Sequence, residues 1–349
     1  MVETHCHAQR IAARMKDDDV DYARLREKMV TAVEADEAGE DDEVVIYDNS
    51  DRLVYDMDAY GVDMCVLLPG AWFTNSLNEK IMERHPGKFV SAAQAIQTEK
   101  ADHRGEEEWT IEAACEELDE WLDEDGFRMI GEGVPRNPKT DRVRSWDDRR
   151  EEVVQVFEVA ADHDVPVGWH TGVPTGYGTG KWRTPDWEDP TLAGDIKEEF
   201  PEVPIVFQHG GMQGHWRDEY VEKCCEVAAS WDDVYLETGL YWAELFEKPY
   251  KDPNIGPEQM IWGGDWGASV AQVSQPADDP PFYWDQRSDR GLPAHQPDYW
   301  GASMRQMFLF ATNCQVEQDK LNLIMGGNVA RLLDLDLPVT RLFEQYLDR

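Results

Sequence analysis

Along the whole chain, short apolar runs alternate with longer segments whose apolar residues recur every three or four positions. The short runs have the length and β-branched content of buried strands, and the longer segments read as amphipathic helices. Strands are expected at 2–7, 62–68, 88–95, 126–132, 165–170, 205–209, 234–238 and 260–265. Helices are expected at 51–60, 75–85, 111–122, 192–200, 216–230, 304–314 and 329–335, with another marked by Val153, Phe157, Ala160 and Ala161. Gly61, Pro69-Gly70 and Pro86-Gly87 supply the stops between them. Eight strands separated by helices predict an α/β fold, a (β/α)8 TIM barrel forming one domain over residues 1–349.

Two departures from this rhythm stand out. The stretch after the first strand is polar and partly helical in pattern, and residues 34–43 have the acidic composition of a solvated loop. The connections 172–190 and 267–299 are long, rich in glycine, proline and aromatic residues, and each follows a strand ending in a chemically active residue. Barrel enzymes build their pockets from loops at this C-terminal face, so both are read as pocket wall or lid. Surface decoration or a subunit contact is the alternative.

Composition narrows the partners. Hydrophobic residues make up 41% of the chain, enough for a large core. The 72 acidic residues outnumber the 33 basic ones, a net charge of −39, and they are spread along the whole sequence. Such a surface repels nucleic-acid phosphates and anionic lipid, which leaves a small-molecule substrate as the expected partner. No run approaches the roughly 18 apolar residues of a membrane span, and the start lacks the pattern of a secretory leader, so a cytoplasmic location is expected. The six cysteines form no C-x-x-C pair and read as free thiols. The scattered acidity predicts a halophilic chain whose melting temperature rises with added salt, as screening relieves self-repulsion. Thermal unfolding across a salt series measures this, and greatest stability in dilute buffer would contradict it.

The chemistry sits at strand ends. His5 and His7 close the first strand, His170 the fifth, His209 the sixth and Asp265 the eighth. Strand alternation sends His5 and His7 to one side and Cys6 to the other. Imidazole and carboxylate donors without thiolate suit one divalent ion, zinc first, with manganese or another divalent metal as the alternative. His5, His7, His170 and Asp265 are the expected ligands. His209, beside Gly210-Gly211, is read as a general acid or base, with ligation or an orienting role as alternatives. Asp265 is placed in the catalytic set as well. Glu132 ends the fourth strand and is expected to orient a ligand or the substrate, and Glu3 to lie on the His5 side one pleat deeper. Arg10, Trp72, Trp169 and Trp266 are candidate substrate contacts, the arginine for a carboxylate and the rings for a flat molecule, with a surface arginine and, for at least half of the rings, ordinary core packing as the alternatives. Trp187 and Trp242 belong to the same aromatic set, and His215 is read as peripheral.

The ordered set Glu3-Thr4-His5-Cys6-His7, Gly61-Val62-Asp63, His85-Pro86-Gly87-Lys88-Phe89, Pro166 to Gly172, His209-Gly210-Gly211, Gly263-Gly264-Asp265-Trp266 and Gly327-Asn328-Val329-Ala330 resembles the amidohydrolase superfamily. The resemblance is to its amidohydrolase-2 branch, which includes 2-amino-3-carboxymuconate-6-semialdehyde decarboxylase and related aromatic-acid decarboxylases. It covers nearly the whole chain and implies one metal, commonly zinc, on His5, His7, His170 and Asp265, a catalytic His209, and a homodimer. Members often carry Asp where this chain has Glu3. Two-metal relatives place a modified lysine on the fourth strand, and 126–132 contains none, which favours a single metal. The resemblance favours non-oxidative decarboxylation of an aromatic or unsaturated acid. Hydrolysis of a lactone, ester or amide is the alternative, and a non-catalytic binding barrel is a third reading.

Overall fold

The computed structural model describes residues 1–14, 28, 30–39, 42, 44–70, 73–137, 145–171, 189–212, 218–267, 271–274, 299–335 and 337. Eight parallel strands lie side by side in chain order: β1 (Val2–Cys6), β5 (Met64–Leu67), β6 (Phe89–Ala93), β7 (Phe127–Ile130), β8 (Val167–His170), β9 (Ile205–Gln208), β10 (Val234–Glu237) and β11 (Met260–Ile261). The two outermost strands meet through Thr4 N–H donating to Trp262 O at 3.2 Å and Trp266 N–H donating to His5 O at 3.0 Å, which brings the sheet round to a barrel. The expected fold is therefore the observed one, with each strand one to four residues shorter than expected.

Alternation along each strand sorts the core into two layers. Val2, Val66, Met129, Val206, Tyr235 and Ile261 fill the barrel interior. The residues between them face outward and meet the helices α1 (Ser50–Tyr60), α2 (Asn75–Arg84), α3 (Ile96–Arg104), α4 (Ile111–Leu122), α5 (Trp146–Asp162), α6 (Thr191–Glu199), α7 (Asp218–Ala228), α8 (Ala243–Lys251) and α9 (Tyr299–Asn313). The helix α4 shows the cause: Ile111, Ala114, Leu118 and Leu122 fall on one face and are buried, and Thr110 caps its start by accepting from Ala113 N–H at 3.1 Å. Ser145 and Asp148 form a reciprocal capping box at the start of α5. After the short α10 (Gln318–Asn322), α11 (Asn328–Leu332) closes the N-terminal end, where Val329, Leu332 and Leu333 meet Val66, Met129 and Val206. No helix among the described residues is long and apolar enough to cross a membrane.

The sequence after the first strand contributes to a second sheet, in the order β12 (Ala271–Ser274), β2 (Gln9–Arg14), β4 (Val44–Asp48), β3 (Val33–Glu34). Past Glu34 the acidic stretch is a turn exposed at 36, 37 and 39, as expected of a solvated loop, and residues 15–27 lie outside the described residues. Glu34, within the acidic stretch, is buried and accepts from Thr74 Oγ1 at 2.7 Å and Lys80 Nζ at 2.6 Å. Those partners lie at least 40 residues away, so the local composition carried no sign of them. Lys100 Nζ adds a bond to Ala32 O at 2.6 Å. The sheet has a positional role. Strand β2 leaves β1 just after His7, and β12 follows Asp265. Their parallel pairing, Ala271 opposite Ile11, therefore ties together the exits of the first and last barrel strands.

Candidate metal centre

The strand ends at the C-terminal mouth converge on one buried cluster. His5 and His7 approach to 3.3 Å between their Nε2 atoms. Asp265 Oδ1 lies 3.5 Å from His5 Nε2 and 3.4 Å from His7 Nε2. Glu132 closes the group, with Oε1 3.6 Å from His5 Nε2 and Oε2 3.6 Å from His7 Nε2. The same Oε1 lies 2.9 Å from His170 Nε2 and 3.2 Å from His209 Nε2. Glu132 thus stands between two pairs of imidazoles, and it belongs to two of the three donor groups tight enough for a metal ion.

Local backbone explains how neighbouring residues reach the same point. Pairing of β1 with β5 is irregular between Glu3 and Cys6. Thr4 lines the barrel interior, yet His5, next in sequence, shares its partner: both side chains touch Glu237. A break in the pleat of this kind re-aims side chains that strict alternation would separate. Cys6 lies in the helix-facing core beside Cys65, as alternation requires. Glu3 does not join the donor cluster, in line with its expected place behind the ligands; its Oε1 accepts from His5 N–H at 3.0 Å and Gly264 N–H at 2.6 Å. It braces the backbone of β1 against that of the last strand. His209 and Asp265 both adopt left-handed backbone, φ 61° and 52°, which turns each side chain back over the barrel mouth.

The electrostatics are those of a pocket short of positive charge. Burial disfavours a charged His5, but Glu237, Asp265 and Glu132 outweigh it and lift the imidazole to about 10. Burial likewise opposes ionised Asp265, and His5, His7 and His209 still bring it down to about 2. Glu132 is held well below the usual carboxylate range against its own burial, chiefly by His170 and His209. His209 moves the other way: burial, with His5 and His170 nearby, lowers it despite the bond to Glu132. Burial, with Glu237 adding to it, pushes Glu3 up to about 8.

The donor set fits a divalent cation on geometry as well as charge. Four ligands at 2.0–2.2 Å around a tetrahedral ion stand about 3.3–3.6 Å apart. His5 Nε2 and His7 Nε2 stand 3.3 Å apart, and each lies 3.4–3.6 Å from Asp265 Oδ1 and from one Glu132 oxygen. Asp265 Oδ1 is buried without a hydrogen-bond partner, an acceptor left open toward the centre of this group. Outside it, His7 Nδ1 pairs with Leu68 O at 3.0 Å and His5 Nδ1 with Glu237 at 3.0 Å, which leaves both Nε2 atoms as the inward donors.

Of the residues expected from sequence, His5, His7, Asp265, His170 and His209 come together, but His170 joins through Glu132. Glu132, expected to orient a ligand or substrate, stands among the donors themselves. Three expected substrate contacts lie elsewhere. Trp169 packs in the helix-facing core 6.2 Å from Trp146, because its neighbour His170 takes the inward position. Trp266 is 2% exposed and donates Nε1–H to Asp56 at 2.9 Å. Arg10 is 1% exposed, lies over the Trp266 ring at 4.9 Å, and donates to His7 O and Gln9 O. It holds the loop that carries His7 rather than opening to a pocket. Trp242 is a surface residue, 39% exposed. Trp72, Trp187, His215 and nearly all of the 172–190 and 267–299 connections lie outside the described residues. Sequence reasoning missed Glu237, although a carboxylate closing the apolar run Val234-Tyr235-Leu236 was the available signal.

Known proteins agree with the architecture. The amidohydrolase family model matches residues 75–335. No curated protein matches the chain. Among solved structures, an uncharacterized TIM-barrel protein from Bordetella bronchiseptica is 17% identical, with 96% of this chain and 99% of that one covered at a TM-score of 0.54. A dihydroxybenzoic acid decarboxylase from Polaromonas sp. JS666, with bound manganese and the inhibitor 2-nitroresorcinol, is 14% identical, with 96% and 97% covered at 0.53. An amidohydrolase from Burkholderia multivorans is 9% identical, with 82% and 88% covered at 0.50. At these identities the three share the fold. With a barrel of eight parallel strands and a family match running from the second barrel helix to the last, the chain belongs to the amidohydrolase family.

Proposed function

We propose that this chain is a metal-dependent enzyme that removes CO2, without oxidation, from an aromatic or unsaturated small carboxylic acid. The observation that carries the reading is the convergence of His5, His7, Asp265 and Glu132 at the barrel mouth, with the two Nε2 atoms within 3.3–3.6 Å of each other and of both carboxylates. His5, His7, Asp265 and Glu132 would hold the ion, zinc or manganese, with His170 bonded to Glu132 beside them. Such an ion supplies a Lewis acid for a substrate carboxylate and a neighbouring oxygen.

The remaining work falls to His209. Its lowered pKa favours the neutral imidazole, so His209 can take a proton from the substrate and return one to the carbon that loses CO2. Immobilisation by Glu132 and by the backbone N–H bond to Glu237 fixes where that proton is delivered. The Polaromonas decarboxylase supports the reading, since it combines this fold with manganese and an aromatic inhibitor.

A second reading is metal-assisted hydrolysis of a lactone, ester or amide. One observation favours it: Glu132 links His5 and His7 on one side to His170 and His209 on the other, which gives room for a second cation. Assays on aromatic acids and lactones in isotopically labelled water separate the two. CO2 release with no solvent oxygen in the product is the expected result. Solvent oxygen in a cleaved product would overturn the decarboxylase.

A further inference from the structure

Glu237 is fully buried and touches both halves of the site. Its Oε1 and Oε2 lie 3.1 and 3.0 Å from His5 Nδ1. Thr4 Oγ1 donates to Oε1 at 3.3 Å, and His209 N–H donates to Oε2 at 2.7 Å. His209 Nδ1 is 3.9 Å away, too far for a bond. We propose that Glu237 is a positioning residue that fixes His5 with its Nδ1 protonated and its Nε2 turned to the metal donors, and anchors the backbone of His209 from the same carboxylate. The inference rests on the metal reading.

The argument follows from donor and acceptor counting. Both Glu237 oxygens face His5 Nδ1, and a carboxylate oxygen accepts, so the contact places the hydrogen on Nδ1. When a metal displaces the second proton, that assignment makes Nε2 the nitrogen that offers its lone pair, 3.3 Å from His7 Nε2 and 3.5 Å from Asp265 Oδ1. A carboxylate behind a ligating histidine also makes the other nitrogen a stronger donor. The second contact has its own purpose. Left-handed backbone is uncommon for histidine, and His209 holds it at φ 61° with its N–H locked onto Glu237. Tyr241 completes the clamp by donating its hydroxyl to Gly210 O at 2.8 Å.

The surrounding sequence is cut to this carboxylate. A Cβ on Gly263 would lie 2.4 Å from both Glu237 Oε1 and Thr4 Oγ1. Only glycine there lets the buried acid and the threonine share the space. A carboxylate placed for fold stability alone would have no need to meet two histidines of one site with both oxygens.

The test uses the full chain loaded with zinc, in the wild type and in Glu237→Gln. Two quantities are read: zinc affinity by competition with a chelator, and the downfield ring N–H resonance of His5 in protein labelled on its histidine nitrogens. The amide keeps the shape but loses the charge and half the accepting capacity. Zinc affinity is expected to fall about 10–100-fold, and the His5 resonance to move upfield. If Glu237→Gln folds poorly, Glu237→Asp takes its place. The charge is then kept but the reach shortened, and the same two changes are expected. Unchanged affinity with an unmoved resonance overturns the inference, even if the melting temperature drops. A wild-type protein that takes up no zinc overturns the metal reading itself, a different result.

Discussion

Asp265→Asn is expected to abolish tight metal binding and, with it, turnover. Asparagine is the informative replacement because it matches the shape of aspartate and tolerates left-handed backbone, which position 265 requires at φ 52°. Alanine would add backbone strain to the loss of the donor. The carboxylate is brought down to about 2 by its histidines, and its buried Oδ1 faces His5 Nε2 at 3.5 Å and His7 Nε2 at 3.4 Å. Removing its charge leaves His5 and His7 facing a neutral amide and Glu132 as the remaining anion. Loss of an orienting partner behind a ligand costs roughly 10–100-fold in metal affinity, and loss of a direct donor should exceed that. Metal content after dialysis, measured with thermal unfolding of the same samples, checks the expectation. A folded Asp265→Asn protein that keeps a full complement of metal would remove Asp265 from the ligand set.

His209→Asn is expected to give the opposite split: metal retained, turnover lost. Asparagine again accepts the left-handed backbone, here φ 61°, and keeps the N–H that binds Glu237. What disappears is a group that exchanges protons near neutral pH. A positioned acid or base contributes about 10²–10⁴-fold, so kcat should fall by that range while KM changes little. The pH profile carries the sign. Burial lowers the pKa of His209, so the base form dominates at neutral pH, and wild-type activity should drop only as pH falls below the ordinary histidine range. The variant should lack that acid limb. Metal loss in His209→Asn would instead make His209 a ligand.

How much of this was legible in the sequence depends on which distances matter. The barrel strands announce themselves locally, because a buried parallel strand is a short apolar run closed by glycine or proline. The histidines and Asp265 were legible for the same reason, since each ends such a run. Strand alternation also carried more than was read from it. With His170 inward, Trp169 had to face the helices, where it packs near Trp146. The small sheet was not legible: β2 and β4 gain their identity by pairing with each other across about 35 residues, as Gln9 opposite Asp48 shows, and nothing local marks that partner. The roles of Glu132 and Glu237 were hidden in the same way. Each closes an apolar strand, but only the closed barrel brings them to histidines up to 232 positions away.

The glycines around the last strand deserve the final consequence. A methyl group on Gly239 would sit 1.7 Å from Gly263 O, and one on Gly263 would collide with Glu237 and Thr4. These positions carry no side chain of their own, yet any side chain there would pry apart the two walls that aim Asp265 and Glu237. Tolerance to change in this protein therefore does not track reactivity. A survey of inactivating substitutions would find voids that must stay empty as unforgiving as the imidazoles they surround, and a designer seeking new specificity has freedom only above the rim.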